Sequence, residues 1–281
     1  MKKYLSKLFE NKFKFLFKTL ASSNNSKFNI EFINLRIKEN THLGKKNENL
    51  IIPLDEIIAP RIFKNANWDY FICEFIKKNI NNEENHFFDI GANIGLITRQ
   101  LQNLNINIKN YYCFEPEVNS FNILKENIKN KNTYFFNYGL SSKNSTDQLF
   151  VNPLNKSDHS TFIKNYNNTE GKIINIDLRD SNEVLKKIIY ENKIQNIIYK
   201  SDTQGLDEEI LLNLNDEIFS KINLLIIEIS NFNYISKNID LFFDKIQKFN
   251  LLFNENGSII KLNDLKIIID KKKEFNLMAK K

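Results

Sequence analysis

The sequence predicts an α/β protein with a largely parallel sheet and helices on both faces. Two observations carry this. From residue 86 onward, short apolar runs at 86–90, 110–115, 133–137, 196–201, 222–229 and 265–269 read as strands. They alternate with helical periodicity at 95–105, 118–129, 183–192, 205–214 and 235–249. Such alternation requires crossovers, and crossover helices come to cover both faces of a parallel sheet. The second observation is "FFDIGANIGLIT" (87–98), a strand, a tight glycine turn and a helix start in immediate succession. The chain has only seven glycines, where average usage would give about twenty. Those that remain just after proposed strands mark places where a Cβ does not fit.

The segments ahead of residue 86 form an N-terminal extension. Residues 1–20 place Leu5, Leu8, Phe9, Phe13, Leu16, Phe17 and Leu20 at helical spacing with lysines between them, a basic amphipathic helix. A Ser/Asn stretch at 22–26 reads as a linker. Residues 27–85 are expected to pack on the core, with a loose strand at 28–37 and a helix near 68–80 capped by Asn67. The core domain is 86–281. Within it, 140–180 breaks the alternation with polar residues and two strand-like pieces near 147–151 and 173–177, an insertion expected on the substrate side.

Composition narrows the function. Of the net charge of +6, residues 1–20 hold +5 (six lysines, one glutamate), leaving +1 for the remainder of the 281 residues. The body lacks the basic surface of a nucleic-acid-binding protein. Cys73 and Cys113 lie in apolar segments without CxxC or metal spacing, which suits a reducing compartment. No apolar run reaches the roughly 18–20 residues that span a bilayer, and the N-terminus lacks a signal-peptide h-region. The expectation is a cytoplasmic protein. Residues 1–20 either cap the domain or lie on the anionic inner face of a membrane, and the sequence leaves both open.

The ends of the strands carry the chemistry, because open α/β sheets bind ligands beyond their carboxyl ends. Asp89 closes the first strand, and Gly91 and Gly95 would let the backbone pass close to a ligand facing helix N–H groups. Their Gly-x-x-x-Gly spacing is not the Gly-x-Gly-x-x-Gly of a dinucleotide pyrophosphate site, which speaks against a nicotinamide-dependent oxidoreductase. Glu115, in "YYCFEPE" (111–117), ends the second strand, where a carboxylate can accept both ribose hydroxyls of an adenosine.

"DIGANIG", "FEP", "NYGLSS" (137–142), "HSTF" (159–162), "KSDTQGLDEEIL" (200–211) and "LLIIEIS" (224–230), in this order and spacing, resemble the FkbM family of methyltransferases over about residues 55–270. The resemblance implies a Rossmann-like class I methyltransferase fold with a mostly parallel seven-stranded sheet. It implies S-adenosylmethionine as donor and a hydroxyl of a sugar or glycan precursor as acceptor. Asp89, Gly91, Asn93 and Gly95 would then cradle the methionine end, Glu115 the ribose, and Asn137 and Gly139 the adenine edge. Family members commonly read Asp-x-Glu-Gly where this chain has Asp202, Thr203, Gln204 and Gly205. Gln204 cannot act as acid or base, so any such role is absent or displaced.

Methyl transfer from a sulfonium is an in-line displacement that positioning alone can favour by about 7–11 kcal/mol. A sugar hydroxyl is a poor nucleophile, so a base is expected. Asp202, ending the fourth strand, is the first candidate and His159, in the insertion, the second. His42 and His86 read as structural. Lys200 and Glu228 also approach the strand ends, where Lys, Asp and Glu together resemble RNA ribose methyltransferases. No cluster has zinc or calcium spacing, so no metal is expected. The alternatives are a fold-retaining inactive protein at a membrane surface and an RNA ribose 2′-O-methyltransferase.

Overall fold

Strand–helix alternation, the basis of the predicted class, is what the chain builds. The computed structural model describes residues 32–152, 171–271 and 273–281. The expected helix at 1–20, the linker at 22–26, the first residues of the 28–37 strand and His159 lie outside these. In chain order the elements begin with β1 (Phe32–Arg36), β2 (Asn49–Pro53), α1 (Ile58–Asn65) and α2 (Tyr70–Asn79). Next come β3 (Asn85–Ile90), α3 (Leu96–Asn103), β4 (Ile108–Phe114), α4 (Val118–Asn127) and β5 (Thr133–Phe136). β6 (Gly139–Ser141), β7 (Ser145–Val151) and β8 (Lys172–Asp180) follow, then α5 (Ser181–Asn192) and β9 (Asn196–Ser201). The C-terminal part holds α6 (Asp207–Asn213), α7 (Asp216–Ser220), β10 (Ile222–Ile229), α8 (Phe232–Lys237) and α9 (Ile239–Ile246). It ends with β11 (Leu251–Phe253), β12 (Ile259–Ile260), α10 (Leu262–Asp270) and β13 (Phe275–Lys280).

The main sheet runs β12-β11-β13-β10-β9-β3-β4-β5. Five strands, β5, β4, β3, β9 and β10, are mutually parallel. β13 joins antiparallel to β10, β11 antiparallel to β13, and β12 antiparallel to β11. β3 is the central one of the five parallel strands and is buried at every residue, as a strand covered on both faces must be. Its Phe88 and Ile90 face a core with α5, α6, α7, α9 and α10, while Phe87 faces a core with α2 and α3. After β3 the chain builds outward through β4 and β5. It then returns to add β9 and β10 on the other side, so the order reverses between β3 and β9. A crevice opens beyond the carboxyl ends of strands at such a reversal. Among the described residues the sheet is mixed and has eight strands, against the expected seven.

The extension is fastened to this core by polar groups as well as apolar ones. Leu50, Ile52, Leu54, Ile58, Ala59 and Ile62 pack with Ile94 and Leu96 at the start of α3. The Asn127 side chain at the end of α4 pairs with the backbone of Ile51 in both directions, at 2.8 Å each, and donates to Ile94 O at 2.9 Å. Arg99 donates to the carbonyls of Leu43 and Asn127. The described residues of the insertion, with Gly139, form a three-stranded sheet ordered β6-β8-β7.

Three further expectations are corrected. Residues 265–269 are helix, not strand: Leu265 and Ile269 are buried one turn apart while Ile267 is 55% exposed, a helical pattern hidden in a short apolar run. The last strands are instead β11, β12 and β13. The 235–249 helix is two, broken at Asn238. Asn67 does not cap α2; Asp69 precedes it with a φ of 38° and turns its carboxylate to Arg61 at 2.7 Å. Among the described residues no helix is long and apolar enough to cross a membrane.

Candidate functional site

The turn after β3 is shaped by the protein around it. Gly91, Asn93 and Gly95 all have left-handed backbone (φ 73°, 50° and 82°). A Cβ on Gly91 would lie 1.9 Å from the Asp202 carbonyl oxygen, and one on Gly95 would lie 2.6 Å from Leu124 Cδ1. Backbone crowding therefore requires Gly91 in addition to its φ, whereas at Gly95 the left-handed φ is the main demand, since the Leu124 side chain can give way. Gly91 N and Ala92 N donate to Phe114 O at 3.1 and 2.9 Å, and Asp202 N donates to Ile90 O at 3.0 Å. The ends of β3, β4 and β9 are thus laced together through the turn.

Beneath the turn lies a buried ion pair. Asp89 and Lys200 are cross-strand partners on β3 and β9, and Lys200 Nζ is 3.0 Å from Asp89 Oδ1. Nζ also donates to Gly91 O at 2.9 Å, and Thr98 Oγ1 donates to Asp89 Oδ2 at 2.7 Å. Burial alone would lower the pKa of the Lys200 ammonium; Asp89, Asp202 and Asp207 reverse the sign and hold it above its ordinary value. Asp89 is fully buried, so its carboxylate holds Lys200 and the turn from below.

Glu115 stands at the end of β4. Its Oε2 accepts from Asn93 N and its Oε1 from Glu117 N, each at 2.8 Å. Burial pushes its carboxyl up to about 7, against the pull of those two amides. Asn137 reaches back to the carbonyls of Glu115 and Pro116, at 2.9 and 3.2 Å, and so braces this corner. Glu115, Gly139 and Leu140 form one side of a cleft enclosing about 590 Å³ of open space, mouth included. Leu149, Ile176 and Leu178 of the insertion also line it, so the segment read as substrate-side borders the strand ends. Thr203 also lines the cleft, and its buried hydroxyl has no hydrogen-bond partner among the described residues.

A second cleft lies on the other side of the turn, against the extension. Trp68, Asp69, Ile94, Lys200 and Asp202 line it, and Gly91, Asn93 and Asp202 border both clefts. Arg61 lies over the Trp68 ring, 4.6 Å from its centroid, and ion-pairs with Asp69.

The loop after β9 is organised by Asp207, which accepts from Ser201 Oγ at 2.5 Å and from Thr203 N at 2.9 Å. Burial and Asp202 push its carboxyl up to about 6. Gln204 Nε2 donates to Asp202 Oδ1 at 2.8 Å and to Glu228 Oε2 at 3.0 Å. Glu208 accepts from the amides of Ser230 and Asn231, at 2.7 and 2.9 Å.

Of the residues singled out in the sequence, Gly91, Asn93, Glu115, Gly139 and Asp202 come together at the first cleft. Asp89, Gly95 and Asn137 support it from outside its lining. His86 is buried beside Tyr112, and the His42 ring sits 3.9 Å from that of Tyr70. Sequence reasoning missed Asp69, Thr203 and the apolar wall of the insertion. Among the described residues no three His, Cys, Asp or Glu side chains are grouped to hold a metal ion. Compared with known proteins, the chain matches no family model and no curated relative.

Proposed function

We propose that the chain is an S-adenosylmethionine-dependent O-methyltransferase of the FkbM type, methylating a hydroxyl of a sugar or glycan precursor. The observation that carries this reading is Glu115. Its carboxylate is buried at the end of the strand beside β3, bonded to the glycine turn and bordering a cleft with apolar walls. The finer fold reading, a class I methyltransferase core, draws support from the five parallel strands in the order β5-β4-β3-β9-β10 followed by an antiparallel neighbour.

The residues fit an adenosine-bearing donor. Glu115 offers lone pairs to ribose hydroxyls, Leu149, Ile176 and Leu178 would flank a base, and the Thr203 hydroxyl, without a partner among the described residues, can take up a hydrogen bond. Asp69, in the second cleft, suits an ammonium group such as that of the methionine end. Bound there, the donor supplies a methyl group activated on a sulfonium. Asp202, bordering both clefts, takes the proton that the acceptor hydroxyl releases, a general-base contribution of about 10²–10⁴ in rate. His159 is the rival for this role.

Calorimetry tests the reading. S-adenosylmethionine or its demethylated product should bind, and Glu115→Ala should weaken binding by about 1.5–3 kcal/mol, the range for hydrogen bonds to a charged group. Equal or tighter binding of NAD would overturn the methyltransferase reading.

A further inference from the structure

Gln204 lies where an acid would be ordinary for the resembling family, and its surroundings give the amide a specific task. Its backbone is left-handed (φ 56°), and Gly205 follows at φ 122°. Asp207 pins Thr203 N and Gly205 N, so the loop projects the side chain between two carboxylates. One amide nitrogen then serves Asp202 at 2.8 Å and Glu228 at 3.0 Å. We propose that Gln204 is a positioning residue: its two N–H groups tie Asp202 to Glu228 and hold the Asp202 carboxylate toward the junction of the two clefts. This rests on the reading that Asp202 receives the acceptor's proton.

The chemistry favours an amide here. Glu228 is crowded by burial and by Asp202, Asp207, Glu274 and Glu208, which together push its carboxyl well up. Asp69 and Asp89 add negative charge from the elements around Asp202 and Lys200; Arg61 pairs with Asp69, and Lys200 faces Asp89 and Asp202. A third carboxyl at position 204 would have to bind a proton to bridge two others. An amide donates to both and gives up no proton, so the tether does not compete with Asp202 for the proton of the acceptor.

The experiment uses the full chain labelled with ¹³C at glutamate carboxyls, without donor or acceptor, and identifies Glu228 by its loss in Glu228→Gln. Gln204→Met keeps the bulk and removes both donors. The Glu228 titration should then move up by about one pH unit or more, kcat should fall at least tenfold, and the donor Kd should change less than threefold. Gln204→Glu should move the acid limb of kcat to higher pH, and adding Glu228→Gln should move it back. If neither variant moves the Glu228 titration or the pH profile, Gln204 is only loop structure and the proposal fails. The titration needs no turnover, so a chain that lacks methyl transfer but shows the shift overturns the proposed function and not the tether.

Discussion

Glu115 is already bonded to two backbone amides, yet its carboxyl sits near 7 because burial outweighs them. The ionised form is the one that accepts from ribose hydroxyls. Below pH 7 the free site is increasingly protonated, and ligand binding must displace that proton. Donor affinity should therefore be flat above about pH 8 and fall by up to about tenfold per pH unit below 7. Calorimetry at pH 6, 7 and 8 reads this, and Glu115→Gln should abolish the slope. Asp202 answers to a different measurement. Asp202→Asn should lower kcat with little change in donor Kd, since its carboxylate is assigned to the acceptor. Unchanged turnover would remove it from the chemistry, and loss in His159→Ala alone would exchange the two roles. Glu115 and Asp202 were legible in the sequence because each is an acid ending an apolar run. Asp69 was not: it enters the second cleft only because the extension folds back, and no local pattern signals that.

The turn between β3 and α3 works as an element because three strands are tied to it, and the tie from below is Lys200. The pair with Asp89 is almost fully buried on both sides. Removing one partner strands a charge, which in a buried pair costs about 3–5 kcal/mol. Lys200→Met should therefore destabilise the fold by that amount, measured by chemical denaturation at pH 7. Loss of under 1 kcal/mol would mean that the pair is hydrated and the turn is held by its backbone alone. The parallel strands were readable since burial on both faces writes them as continuous apolar runs. The C-terminal elements were not. "LKIIID" is as apolar as a strand, and only the burial of Leu265 and Ile269 against an exposed Ile267 reveals the helix. β11 and β12 are three and two residues long, too short to leave a periodic signature. β13 mixes Asn276 and Lys280 with apolar residues, the pattern of a strand nearer the margin of the sheet.

At the scale of the whole molecule, the reversal of strand order gathers acids at one end of the sheet, and this sets how stability responds to pH. Burial is the leading cause for each: Glu115 and Glu208 are pushed up to about 7, Asp207 to about 6, and Glu228 further. A group whose folded pKa is raised stabilises the fold fully below its unfolded pKa, and that contribution is lost as pH rises through the folded value. In the window from about 5.5 to 7 the folded chain binds protons on these carboxyls that the unfolded chain has released. Each contributes up to about 1.4 kcal/mol per pH unit. His86 opposes them, because burial lowers its pKa and the unfolded chain binds its proton first. Lys281, which burial lowers to about 8, opposes them only near pH 8; one histidine and one lysine against several carboxyls leave the sign unchanged. The Tm of the ligand-free protein should therefore rise as pH is lowered from 8 to 6. The increment in Tm produced by a fixed concentration of S-adenosylmethionine should shrink over the same range, because protonated Glu115 binds the donor less well. Two opposite slopes from one protein are the expected outcome of a thermal-shift series with and without donor. If both slopes run the same way, the acids are not held protonated by the fold, and the electrostatic account of the cleft is wrong.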